Sequence, residues 1–166
     1  MTQREMLALV RKLIADEQAT GFTEGGNLEE PEGTQELLNY LDRAVDDYSK
    51  RQAAASDVRL VKTLILNNSV INLPEDFLGF CGLIPARIED RAIYYYGDIP
   101  MPTTVKYFAR LEYISKNPET ADLLLEQDQY MTIAALAAIY ALNKHEMNVS
   151  QDLLLLGMGG QNANSQ

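Results

Sequence analysis

The sequence predicts an α+β protein. It is mainly a helical bundle, with an antiparallel β insert between the second and third main helices and an extended arm at the C-terminal end. Three observations point there. Residues 4–17 and 35–54 carry apolar side chains at helical spacing. Residues 58–113 change to runs of β-forming residues with period-two alternation. Residues 128–147 predict a third helix, and from Tyr130 to Leu142 its only polar residue is Thr132, so that stretch has no wet face and is buried on every side. The chain then divides into residues 1–149, the bundle with its insert at about 58–113, and residues 150–166, the arm.

The first helix presents Met6, Leu7, Val10, Leu13 and Ile14 on one stripe, with Arg4, Arg11, Lys12, Asp16 and Glu17 off it. Residues 20–33 hold glycines, a proline and four carboxylates, which is loop composition. The carboxylate spacing does not fit a calcium-binding EF-hand loop. Thr34 is a candidate cap for the second helix, whose stripe is Leu37, Leu38, Leu41, Ala44, Val45 and Tyr48. Asp46 with Lys50 and Asp47 with Arg51 are favourably ordered i,i+4 pairs, and Asp42, Asp46 and Asp47 read as the wet face.

Within the insert, residues 58–66 and 70–73 flank the turn Asn67-Asn68-Ser69 and predict a hairpin. Pro74 suits the first position of a short helical turn leading to Phe77. Residues 86–88 and 92–96 are short strands. From Thr104 to Tyr113 the alternation is clean, with Val105, Tyr107, Ala109, Leu111 and Tyr113 on one face. Leu123 to Leu125 predict a short helical turn before the long helix, which Asp128 is placed to cap.

With 166 residues the chain is most simply one domain. Cys81 is the only cysteine, so no disulfide within the chain is possible. The first residues lack a signal-peptide pattern, and no apolar run reaches the ~20 residues a membrane-spanning helix needs. The net charge is −10. Residues 1–57 hold 12 acids and 6 bases, residues 58–115 hold 6 and 6, and residues 116–166 hold 6 and 2. No Lys/Arg cluster tracks a phosphate backbone, which argues against sequence-independent nucleic-acid binding.

Catalytic signals are poor. His145 and Cys81 are single examples of their kinds and lie in unrelated segments, so His/Cys metal pairs are excluded by count. Gly157-Met158-Gly159-Gly160 precedes no helix and is no phosphate loop. Tyr94-Tyr95-Tyr96 has only Arg91 nearby and reads as a strand or interface feature. The chain is therefore expected to be no enzyme, to take no cofactor and to bind no metal.

The alanine-rich helix leaves two readings open. It is either the central helix of its own domain, or it is covered on one side by another copy of the chain. On the second reading Tyr130, Ala134, Ala137, Ala138 and Ala141 are the candidate subunit interface, because small residues let helices approach closely.

Four segments in order carry a family resemblance: Gln35 to Asp47, with its Leu-Leu-Asn-x-Leu-x-x-Ala core; Ile71-Asn72-Leu73-Pro74-Glu75-Asp76-Phe77; Val105-Lys106-Tyr107; and Asn117 to Leu124 followed by the helix from Tyr130 to Leu142. The chain over about residues 34–156 resembles the head–tail connector adaptor proteins of tailed bacteriophages, which form a ring beneath the portal. The resemblance implies a virion neck protein assembled in the host cytoplasm. It implies a ring, commonly of twelve copies, that docks on the portal protein and offers a platform to a tail or stopper protein. DNA passes through the bore without specific binding, no membrane is involved, and there is no catalysis. The surplus acid suits such a bore. Leu153, Leu154, Leu155, Leu156 and Met158, in the arm, are the candidate portal-docking residues. A head-completion or stopper protein of the same neck, and a small helical regulatory binding protein, stay open as alternatives.

Overall fold

The computed structural model describes residues 1–19, 31–98 and 100–143. The chain divides into two compact units. One is built from Met1–Val45 together with the chain from Tyr113 onward, the other from Asp46–Glu112.

The first unit is helical. Helix α1 (Gln3–Ala19) buries Met6, Leu7, Val10 and Ile14, the stripe its apolar spacing dictates, and packs against helix α3 (Gln127–Asn143). Helix α2 (Pro31–Ala54) starts on a proline, whose missing N–H costs nothing at a helix start, and buries Leu37, Leu41, Ala44 and Val45 here. Thr34 lies inside α2, where its hydroxyl accepts from Arg11 Nη2 at 2.7 Å, so it is no cap. Helix α3 opens with one half of a capping box, a side chain in its first turn reaching back to the cap. The Glu126 backbone N–H donates to Gln129 Oε1 at 2.8 Å, while the Glu126 carbonyl accepts from the Tyr130 N–H at 3.0 Å. The cap is therefore Glu126, and Asp128 is already helical. Gln129 is buried by this role, and Ile133, Ala134, Leu136 and Ala137 are fully buried beyond it.

The second unit holds two three-stranded antiparallel sheets. Strand β1 (Val61–Leu66) and strand β3 (Phe77–Phe80) flank strand β6 (Thr103–Ala109). Strand β2 (Val70–Asn72) and strand β4 (Ala86–Glu89) flank strand β5 (Ala92–Tyr95). Alternation decides which side chains face inward. Along β6, Val105, Tyr107 and Ala109 are buried, while Thr104 and Lys106 are exposed. Leu66, Tyr95 and Val105 form a buried cluster drawn from both sheets, against which Leu64, Ile71, Phe80, Ile84, Ala86 and Met101 pack. The unit also includes the last part of α2, where Asp46 pairs with Arg110 at 3.5 Å and Ser49 Oγ accepts from the Leu111 N–H at 3.2 Å.

The expectation of a mainly helical bundle is corrected: this is a sheet-rich α+β fold whose six strands make a compact unit of their own. Pairing supplies the reason. Strand β1 does not form a hairpin with β2. It pairs with β6, Val61 opposite Phe108 through Leu66 opposite Thr103, and the Asn67-Asn68-Ser69 turn carries the chain to the other sheet. The helical turn expected before Phe77 is an ordinary turn into β3, which pairs with the distant β6 around an irregularity at Leu78 and is too short to show a period. Nor is Leu123 to Leu125 a helical turn; it is irregular chain. Residues 58–60 begin not as strand but as a 3₁₀ turn capped by Asp57, which accepts from the Arg59 N–H at 2.9 Å.

Candidate functional site

The residues expected at a subunit interface lie elsewhere in the structure. Ala134 and Ala137 are fully buried within the single chain, and Ala138 and Ala141 nearly so, at 4% and 6% exposure. Tyr130 is half-buried. The four alanines are core of the first unit, because a helix without a wet face is covered here by its own chain, α1 included. What α3 exposes is Gln127, Asp128 and Met131 at its start and Asn143 at its end. Leu153, Leu154, Leu155, Leu156 and Met158 lie outside the described residues, as do His145 and most of the acidic loop expected at 20–33.

All four resemblance-bearing segments supply groups that pin a unit together. In the second unit Asp76 accepts from Tyr107 Oη at 3.0 Å and from Lys62 Nζ at 2.6 Å. The Tyr107 ring stacks on Phe77, centroids 5.6 Å apart, and Phe77 meets Phe80 edge-on at 4.9 Å. Burial pushes the Asp76 carboxyl up, but the hydrogen bonds from Lys62 and Tyr107 and the lysine charge outweigh it, so Asp76 titrates below the usual carboxylate range. Tyr107 is pushed up to about 12, by burial first and then by its bond to the Asp76 carboxylate.

In the first unit Asp42 accepts from both the backbone N–H and the hydroxyl of Ser115, at the 3₁₀ turn Ile114–Lys116. Arg43 sits over the Tyr140 ring, 4.3 Å from its centroid. Gln3, almost fully buried, donates through Nε2 to the carbonyls of Ile114 at 2.9 Å and Asn117 at 3.0 Å. Asp42 and Asp46 are thus fastenings, not a wet face. Gln3 escaped the sequence reading altogether, since a polar residue at a helix start carries no signal of what it holds.

Cys81 is half-buried, its N–H bonded to the Lys106 carbonyl at 2.9 Å. Desolvation raises its thiol above the ordinary value against the pull of the Lys106 charge, which keeps it a poor nucleophile at neutral pH. The three tyrosines part company: Tyr94 lies half-buried with the Arg87 guanidinium 5.0 Å from its ring centre, Tyr95 is core, and Tyr96 is 67% exposed. Among the described residues no group of three His, Cys, Asp or Glu side chains is placed to hold a metal ion, and no helix is long and apolar enough to cross a membrane.

Other side chains are presented to solvent more fully than packing requires. Leu124, in the irregular approach to α3, is 96% exposed, and Ile65 in β1 is 59% exposed. The chain matches no family model and no curated protein.

Proposed function

We propose that this chain is a structural subunit of a tailed-bacteriophage neck, an adaptor that forms a ring on the portal and carries the tail side of the assembly. The observation that carries this reading is the ordered run of four segments between Gln35 and Leu142. It is supported by the use all four find in the fold: Asp42, Arg43, Asp76, Phe77, Tyr107 and Tyr140 hold the helical and sheet units in shape. Side chains spent on bracing, in a chain of net charge −10, fit a scaffold past which DNA moves without sticking. With the α3 alanines inside the first unit, ring contacts fall to other surfaces.

Portal docking is assigned to the segment bearing Leu153, Leu154, Leu155, Leu156 and Met158. The test is to mix the purified chain with the portal protein of the same virus and image the product. A ring seated on one end of the portal is expected, with attachment weakened by deleting residues 157–166 and lost on deleting 150–166. A chain that stays monomeric and leaves the portal bare would overturn the reading. Undiminished attachment of the longer deletion would overturn the docking assignment alone.

A further inference from the structure

The two units present unlike patches of opposite sign. In an antiparallel pair, residues directly opposite one another share a face. Thr63 opposite Lys106 and Ile65 opposite Thr104 therefore stand together on the outer face of β1 and β6, and all four are exposed. Val61 and Phe108, also opposite each other, extend this face and are half-buried. The other face of the same strands carries Leu66, Val105 and Tyr107 into the core. Strands β1, β3 and β6 hold two lysines and no carboxylate. The outer face is thus apolar and β-branched, with a cation at its centre.

The second patch lies in the helical unit. Asp122 bridges to Thr2 and the chain from Leu123 to Glu126 is irregular; Leu123 is buried and Leu124 points outward, almost untouched by its own chain. Met131, 44% exposed, follows on α3. Between Asn117 and Asn143 the chain holds four carboxylates and no base; the Met1 ammonium pairs with one of them, 3.4 Å from Asp122, which leaves the patch net negative.

We propose that these patches recognise each other between copies: the β1–β6 face around Ile65 and Lys106 takes the Leu124 segment of a second copy. Signs select this pairing. Two sheet faces brought together would oppose Lys106 to Lys106, and two Leu124 segments would oppose carboxylate to carboxylate. Only the crossed arrangement places apolar on apolar with opposite charges around it. Because the two patches differ, the contact is heterologous, and it generates a ring where the rotation closes. The inference rests on the ring-forming reading above and names the surfaces that the burial of the α3 alanines leaves to be found.

The experiment mixes two variants, Ile65→Cys and Leu124→Cys, each also carrying Cys81→Ser and one lengthened by a tag, and oxidises them with and without portal. The expected product is a disulfide-linked heterodimer, formed at least about tenfold more than with Leu83→Cys in place of Ile65→Cys, because a specific contact raises the effective concentration of one thiol near the other. Leu83 is the control because it is fully exposed and lies outside the proposed face. A yield no higher than this control overturns the pairing. Images of the same mixtures separate the failures: rings without the cross-link defeat this contact and leave the ring reading standing, whereas neither rings nor cross-link defeats both.

A second arm uses charge. Lys106→Glu alone, and Asp122→Lys with Glu126→Lys alone, should each lose assembly. An equimolar mixture should regain it, since every contact then joins opposite signs. A mixture that stays monomeric while the unaltered chain assembles overturns the pairing. So does a Lys106→Glu chain that keeps its ring mass but loses the portal, which would give this face to the portal.

Discussion

Tyr107 donates its phenolic hydrogen to Asp76 at 3.0 Å across two strands of one sheet, β6 and the turn entering β3, and stacks its ring on Phe77 beside that carboxylate. Lys62 reaches the other carboxylate oxygen at 2.6 Å, but its side chain is 58% exposed whereas Tyr107 is buried. The two bonds should therefore differ in value. Tyr107→Phe is expected to cost about 1.5–3 kcal/mol, the range for a sheltered hydrogen bond to a charged group. Lys62→Met should cost less than about 1 kcal/mol, as solvent-screened ion pairs do. Urea unfolding of both variants ranks them, and the reverse order would show that the lysine and not the tyrosine fastens Asp76.

The same group sets two pH limits. Asp76 is held below its ordinary value of 3.8, so its contribution is present above about pH 3.8 and is lost as pH falls through the lower folded value. Tyr107 is raised from 10.0 to about 12, so its contribution is intact below pH 10 and disappears as pH climbs from 10 through 12. Urea midpoints measured against pH should fall on both sides. Tyr107→Phe should flatten the alkaline limb; an unchanged slope between pH 10 and 12 would assign that limb to other tyrosines.

The helices and the inward face of β6 were legible in the sequence because each is a local period, set by residues three, four or two apart. The first and second stripes bury the side chains their spacing dictates except Leu13 and Leu38, which stay half-buried, and Val105, Tyr107 and Ala109 turn inward as their alternation requires. What was not legible is partnership. That β1 pairs with β6, from 37 positions away at Leu66 and Thr103 to 47 at Val61 and Phe108, is a long-range choice that no window of residues around β1 contains. The same holds for the covering of α3. Apolarity all round states that the helix needs cover, not whose chain provides it. The candidate site suffered most, because Ile65 and Leu124 look like ordinary core residues until the fold leaves them outside.

Gln3 gives a prediction about the first unit. Its amide satisfies two carbonyls, those of Ile114 and Asn117, at a buried position. Gln3→Leu keeps the volume and strands both acceptors, a loss of about 1–3 kcal/mol for each one left without a donor. Thermal unfolding should show a marked drop, while Glu5→Gln, two residues on at an exposed position, changes little. Equal stability of Gln3→Leu would mean that water replaces the amide.

Burial of the alanines makes Ala138→Arg a test of where α3 belongs. At 4% exposure there is no room for a guanidinium and no described partner position for its charge, so the first unit should lose about 3–5 kcal/mol or fail to fold. Circular dichroism and urea unfolding of the isolated chain report this directly. A stable, folded monomer that has lost only assembly would restore Ala138 to a subunit interface and contradict the burial.

The β4–β5 connection offers a prediction of opposite sign. Glu89 pairs with Ala92, which leaves Asp90 and Arg91 as a two-residue hairpin loop, and both have positive φ, 48° and 60°. Hairpins favour a type I′ turn because its twist matches that of the strands, and such a turn needs positive φ at both central positions. Aspartate tolerates this region; arginine, with a Cβ close to the following carbonyl oxygen, is disfavoured there by about 1–2 kcal/mol. Arg91→Gly creates the Asp-Gly pair that the turn prefers. Part of the gain is offset by the extra freedom glycine gives the unfolded chain, about 0.5–1 kcal/mol. A net stabilisation of up to about 1 kcal/mol is expected, whereas Arg91→Val, branched at Cβ, should destabilise. Urea unfolding decides between them. If Arg91→Gly lowers stability, the arginine side chain makes contacts that outweigh the cost of its backbone, and the tip of this hairpin is held by more than its turn.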